Sequence, residues 1–595
     1  MLKGKRFLGG LGLLLVVAMV SVACGSSGPT NNGKGTAANT SAQVYGGKAT
    51  KGGILKLASV GDTDFMDPGQ AYTVTFFSAI ARPTLRTLMT YPGVPDLAQQ
   101  IVPTPDLATA AGQHNADNTQ WTYHLKPGLK YGMGLGGVNV PGVTGQPIKT
   151  SDIKYAIERL YNPSVGAGYA FYYDNIVGSA KCKKAAAYGC QLSGITTPDQ
   201  NTIVFNLSKP TGDWDMRMTM PATTPVPQSV ASKYDKTKDS DYDSHVVSNG
   251  PYYVAKYTPG EQIIMKRNST WDPASDPNRK AYVNEIDWKE GFDNNVCNAK
   301  VANGDYDLAV DCVPVGPQLQ SMSQLGKRFF NGPEPCTSYI FLNTTVKPFD
   351  NPMVRQAVNY IVDKDNLRRL AGGPLVGEIA TSVLPPGMVG ALSAKQYNPF
   401  PSAGNRGDLQ KAKALMKQAG YASGFHGKLL FVGSSTDPGP KQVESVRSDL
   451  KKIGIDNLQI KELTYPDYYT QYYEEPSTKT AIGFAGWCED FPSPDTFLTP
   501  LLYGPNILPH GNSNYSMIND PSLNSLIQKA EAAPPSQAAA AWGAANKKAT
   551  ELAVWVPFRW TFARVVVSPR MTNAYYDQYY ENVDFVNSGV NGQGA

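Results

Sequence analysis

The feature that most constrains this chain is its first two dozen residues. Lys3, Lys5 and Arg6 form a basic start, Leu11 to Val20 is almost purely apolar, and Ser21-Val22-Ala23 lead into Cys24. A positive end, an apolar core and a small-residue exit make a secretory signal over residues 1–23. The run is short for a spanning helix, which takes roughly 20 apolar residues. An exported chain meets an oxidising compartment, so its cysteines are expected as disulfides. Setting Cys24 aside leaves Cys182, Cys190, Cys297, Cys312, Cys336 and Cys488. Closeness suggests Cys182–Cys190 and Cys297–Cys312, which leaves Cys336–Cys488 out of the roughly fifteen pairings that six cysteines allow. There is no Cys-x-x-Cys and histidine is scarce, so no metal site and no cofactor are expected.

Cys24 at the signal exit resembles the lipobox of bacterial lipoproteins, where it would become the lipidated N-terminus; Ser21 stands where that motif usually carries Leu. A Gly/Ser/Thr/Asn tract follows to about Gly47 and reads as a flexible tether over residues 24–47. No later segment is long and apolar enough to span a membrane. The expected form is a soluble body held by its front end at the extracytoplasmic face of the bacterial cell membrane. With 595 residues the body has room for two to four domains. The formal charge is +5, and it falls to about +2 once the signal is removed. No basic stripe is evident, which argues against nucleic acid as a partner.

Hydrophobic alternation predicts strands over residues 53–60, 121–125, 201–207 and 282–287, and a hairpin from 252–253 to 262–267. Helical spacing predicts helices over 79–89 and from Thr150, which is a plausible cap, with Ile153, Ile157 and Leu160 on one face. From about residue 336 the order is strand 337–343, helix 352–361, helix 408–419, strand 429–432, helix 441–453, strand 458–463, strand 481–484, helices 521–533 and 536–552, and strand 555–560. The chain before that point is mostly β. This is a mixed α/β pattern with two or more lobes. The 481–484 strand leads into Ala485-Gly-Trp-Cys-Glu-Asp-Phe-Pro492, which sets an indole, a thiol and a carboxylate just past its end, a common place for ligand contacts. Gly-x-Ser-x-Gly, His-Glu-x-x-His and P-loop motifs are absent, so an enzyme is not expected.

Several ordered segments carry a family resemblance. They are Asp67-Pro68, Pro105-Asp-Leu-Ala108 with Trp121-Thr-Tyr-His-Leu-Lys126, Thr150 to Arg159, Asn249-Gly-Pro-Tyr252, Arg267-Asn268 with Trp271, Asn343 with Pro348-Phe-Asp350, and Val354-Arg-Gln-Ala357. Over roughly residues 50–590 the chain resembles extracytoplasmic solute-binding proteins of the oligopeptide/dipeptide/nickel class, family 5, which serve ABC importers. The resemblance implies a periplasmic-binding-protein-like fold (class II, cluster C), α/β with two lobes, a hinge and an extra domain. Domain I would comprise residues 48–89, 223–334 and 553–595, domain II 90–222, and domain III 335–552. It also implies a monomer that passes a peptide or other small solute to a membrane permease and its ATPase.

For the site, Trp487-Cys488-Glu489-Asp490 is similar to the Trp-Cys-x-Asp of oligopeptide-binding relatives. There the Asp meets the ligand's amine and the Cys pairs with one ahead of a strand, as Cys336-Thr337 would be here. The likeness makes Asp490 an anchor for a positive group, Trp487 a pocket wall and Cys488 a staple to Cys336. Tyr169 lies in an aromatic segment, Gly166 to Tyr173, similar to one that reaches ligand in relatives. Phe484 stands where an oligopeptide binder can carry an Arg for the peptide's carboxylate. Tyr72, Phe76 and Phe77 are further candidates for cleft lining, with core packing the better reading. Extended peptides would be held by strand addition. Sugars, opines or metal chelates are the alternative ligands, and a peptide-sensing receptor the alternative role.

Overall fold

The computed structural model describes residues 43–591 apart from 237–238 and 465–466. The signal segment, Cys24 and most of the expected tether lie outside the described residues. The tether ends sooner than Gly47, because Val44–Tyr45 already form a strand against Ala574 and Tyr575. A β-branched and an aromatic residue end the Gly/Ser/Asn-rich run, and such residues suit a pleated, half-buried surface.

Alternating apolar residues build a five-stranded sheet from β1 (Ile54–Ala58), β2 (Tyr252–Thr258), β3 (Gln262–Arg267), β4 (Glu285–Lys289) and β5 (Leu308–Ala309). Its order is β5-β1-β4-β3-β2. β1 runs parallel to both its neighbours, while β2, β3 and β4 form an antiparallel meander. Leu55, Leu57, Ile286 and Trp288 are fully buried, as central parallel strands require. A smaller sheet of Gln113–His114, Gln120–His124, Thr202–Asn206 and Ile195–Thr196 stands on residues between the first two strands. Trp121, Tyr123, Ile203 and Phe205 face its core.

The second large sheet comprises β6 (Pro333–Leu342), β7 (Gly377–Glu378), β8 (Leu429–Ser434), β9 (Leu458–Leu463), β10 (Ile482–Cys488) and β11 (Trp555–Phe562). The order is β7-β11-β6-β10-β8-β9. β11, expected with the C-terminal part of domain I, is instead a central strand of this sheet. Trp555, Val556, Phe558 and Trp560 are buried there, which an edge position could not provide. β10 is longer than its apolar run predicts. Trp487 and Cys488 lie in the strand, registered against Thr337 and Cys336, and Asp490 is the residue two past its end.

α1 (Thr150–Arg159) begins one residue earlier than Thr150-as-cap requires. The Asp152 carboxylate accepts the Lys149 N–H at 3.1 Å, and the Thr150 hydroxyl donates to the Asp199 carbonyl at 2.9 Å. α2 (Pro352–Ile361) starts on proline, with the Asn351 side chain accepting the Met353 N–H at 2.9 Å. The helix expected over 79–89 is displaced. A π-helical turn at Phe76–Ala81 runs into a short turn at Arg82–Thr84, and Met89–Thr90 is a strand. Pro83 lacks the N–H that a longer helix would use.

All three expected disulfides form, Cys182–Cys190, Cys297–Cys312 and Cys336–Cys488. A buried ion pair ties the stretch after β1 to α1: both Arg159 Nη atoms donate to Asp67 at 2.8 Å, and Nη2 also reaches Asp235 at 2.8 Å. Among the described residues no helix is long and apolar enough to cross a membrane.

Candidate functional site

Two distant segments converge on Asp490. The Tyr72 hydroxyl donates to its Oδ2 at 2.8 Å, and the Tyr172 hydroxyl donates to the same oxygen. Among the described residues no Lys, Arg or His lies within ion-pair distance of it. Burial pushes the carboxyl up to about 7, and the two tyrosine hydrogen bonds only partly offset that. Asp490 thus has good donor partners and an uncompensated charge.

The segments are held in place by their own chemistry. Trp487 donates its indole N–H to the Thr496 carbonyl at 2.9 Å and sets its ring edge-on to Tyr72, centroids 6.5 Å apart. Arg217 donates to the Tyr172 carbonyl at 2.6 Å, to Asp213 at 2.8 Å and to Asp495 at 2.9 Å. Its guanidinium lies 5.8 Å from the Tyr172 and Phe491 ring centroids. One arginine therefore orients both the tyrosine that caps Asp490 and the chain that follows Asp490.

Of the residues singled out in the sequence, Asp490, Trp487 and Tyr72 meet directly. Tyr169 is one shell further out: it is fully buried, its ring packs on Tyr72 at 4.9 Å, and its hydroxyl donates to the Pro68 carbonyl. The residue that reaches Asp490 is Tyr172. Residues 170–173 form a 3₁₀ turn, and i, i+3 side chains eclipse in such a turn, so the two tyrosines share a face. Phe76 and Phe77 are core residues, not lining. Phe484 points to the other face of β10 from Trp487; its ring lies 5.9 Å from Phe431 and 5.8 Å from Phe558.

That other face carries an opening and a set of charges that the sequence did not single out. Gly486 is exposed although β6 flanks it, and a Cβ placed there would meet nothing within 4 Å. The Cys336–Cys488 disulfide borders this space. A Glu581 carboxylate oxygen lies within 4.8 Å of both sulfurs, and since those sulfurs are bonded to each other they are not metal ligands. Burial, reinforced by the Glu334, Glu489 and Asp490 carboxylates, raises Glu581 well above the usual range. Burial and the adjacent Asp490 push Glu489 up to about 8. These glutamates have no motif of their own; only the meeting of residues far apart in sequence marks them.

Residues 102–508 match the family described as bacterial extracellular solute-binding proteins, family 5 (middle). The chain is 26% identical over 481 residues to heme-binding protein A of Haemophilus influenzae, covering 78% of this chain and 81% of that one. It is 23% identical over 432 residues to the periplasmic oligopeptide-binding protein OppA of Salmonella typhimurium, covering 71% and 73%. Among solved structures it is similar to clavulanic acid biosynthesis oligopeptide binding protein 2, with a TM-score of 0.82 and 28% identity over 93% of this chain and 98% of that one. These neighbours fix the fold as that of periplasmic binding proteins with two lobes and an extra domain, and the relatives are named as binding proteins. The chain belongs to the bacterial extracellular solute-binding proteins of family 5.

Proposed function

We propose that this protein captures peptides, oligopeptides foremost, in the cleft between its lobes and delivers them to a membrane permease with its ATPase. The observation that carries the reading is Asp490: an enclosed carboxylate, held by two tyrosine hydroxyls, with no paired cation among the described residues. A peptide's ammonium group supplies the missing charge, and in a reduced dielectric that charge-assisted bond is strong. Trp487 and Tyr72 wall the amine position, and Phe484 walls the far side of β10. β8 pairs with β10 only at Ile482 and Gly483. Beyond that, the Gly486 N–H meets the Tyr469 hydroxyl at 3.0 Å. An extended peptide can exchange backbone hydrogen bonds with such an edge. Relatives named as oligopeptide-binding support this ligand class.

The reading extends to a monomer tethered by a lipid on Cys24 at the outer face of the cell membrane. Its lobes are the three proposed from the sequence, with β11 moved to the third, and the first and third close on the ligand. Mass spectrometry of small molecules released from the purified protein tests the ligand class. Peptides with free amino termini are the expected finding; a saccharide or an opine would overturn it.

A further inference from the structure

Phe484 removes one route to recognising the second end of a peptide, yet positive charge stands close by on another strand. β6 and β11 pair with a shift between Ser338 and Tyr339, where Ser338 meets Arg559 and Tyr339 meets Pro557. Phe558 is the extra residue. A bulge of this kind re-aims the side chains around it. Here it lets Val556, Phe558 and Arg559 all address the face that carries Ile340, Phe484, Ser338 and Gly486. Arg559 Nη2 donates to the Ser338 hydroxyl at 3.0 Å, and Ser338 lies directly across from the open Gly486.

Arg564 is near enough to Arg559 to act on its charge. The Nε atoms of both are shut off from solvent and have no hydrogen-bond partner. Neither guanidinium makes an ion pair among the described residues. Each keeps some accessible surface although protein surrounds it on all sides, as expected of a side chain that lines an enclosed cleft. Burial, with Arg564 adding to it, brings Arg559 down to about 9; burial also lowers Arg564, and Glu334 works against both shifts. Glu334 is near enough to act on them, yet its carboxylate is occupied by the Tyr576 hydroxyl at 3.1 Å. Among the described residues, then, no carboxylate pairs with either arginine. Opposite charges in a low dielectric attract strongly, and a buried charge left unpaired is costly. A ligand that carries both signs resolves that cost at both ends.

We infer that Arg559 and Arg564 form the anion end of the ligand site, taking a carboxylate of the same peptide whose ammonium meets Asp490, so that the protein selects zwitterions. This rests on the capture of a peptide amine at Asp490. A guanidinium fork matches a carboxylate in two parallel hydrogen bonds, which Lys cannot reproduce.

The test is affinity selection with mass spectrometry, using an equimolar library of two- to six-residue peptides in three forms: free acid, C-terminal amide and N-acetylated. The expected result is that the wild-type protein retains free acids over amides by about 30-fold. Arg559→Gln/Arg564→Gln should retain the two equally while still rejecting acetylated peptides, which also shows that it is folded. If the double variant does not fold, Arg559→Lys and Arg564→Lys singly should each cut the acid preference by about tenfold. Wild-type retention of amides and acids alike, with acetylated peptides rejected, would overturn this inference and leave the Asp490 reading standing. A preference unchanged in the variants would also overturn it. Retention of no peptide in any form would sink both.

Discussion

Replacing Asp490 by Asn is the sharpest test of the amine anchor. The amide oxygen of Asn can still accept from Tyr72 and Tyr172, so the pocket keeps its hydrogen bonds and loses only its charge. Ionising Asp490 is unfavourable where it stands: its pKa of about 7 lies roughly three units above the ordinary value, and at 1.36 kcal/mol per unit that is on the order of 4 kcal/mol. An arriving ammonium recovers at most that much. A hydrogen bond to a charged group is worth about 1.5–3 kcal/mol net. Asp490→Asn should then weaken peptide binding at pH 8 by about 2–4 kcal/mol, or roughly 30- to 1000-fold. The same carboxyl sets the pH response. Below 7 it is mostly protonated, and the ligand must displace that proton, so wild-type affinity should fall about fivefold between pH 7 and pH 6. The variant has no such proton and should show a flat profile there. Calorimetry at pH 6 and 8 in buffers of different ionisation heat reads both quantities, with wild-type binding releasing up to about 0.9 proton at pH 6. Equal affinities for wild type and variant, or parallel pH profiles, would refute the reasoning.

Tyr172→Phe removes a hydrogen bond that lowers the Asp490 pKa, so the pH at which affinity is half-maximal should move up; an unchanged midpoint in the same titration would count against the tyrosine's part. Asp490 and Glu489 have folded-state values of about 7 and about 8, above their unfolded ones. The folded state then binds more protons than the unfolded state between about pH 4 and pH 8. Thermal melts without ligand should therefore lose stability as pH rises through that window. Peptide should reduce the loss, and Asp490→Asn should lessen it, leaving the part due to Glu489.

The elements that the sequence showed well were those fixed by local chemistry. Pro352 at a helix start, Gly420 after a helix end and the alternation of Leu458 to Leu463 each state their own boundary. β10 was underestimated because Gly483 and Gly486 are poor strand formers, and the strand persists there because β6 supplies a full ladder of partners. Cysteine spacing reached all three disulfides. Asp490, the carboxylate that Tyr72 and Tyr172 hold, was singled out by its motif. Tyr172, which holds Asp490, was not singled out, since the turn that brings it round belongs to a segment pinned by Arg217. Glu334, Glu489, Glu581, Arg559 and Arg564 could not be read, because their significance is an electrostatic field that exists only once four stretches are folded together.

The extra residue at Phe558 has a consequence of its own. In a regular ladder, neighbouring side chains alternate between faces, and a one-residue slip reverses them. Deleting Phe558 would make this stretch of β11 a regular ladder with Arg559 still opposite Ser338, whereas a regular ladder that kept Phe558 would put Phe558 opposite Ser338 and turn Arg559 to the opposite layer. The charge this face presents thus depends on whether β11 bulges here, with no acidic or basic residue substituted. Comparisons of ligand preference in such chains must therefore count residues along β11 before they compare charges column by column.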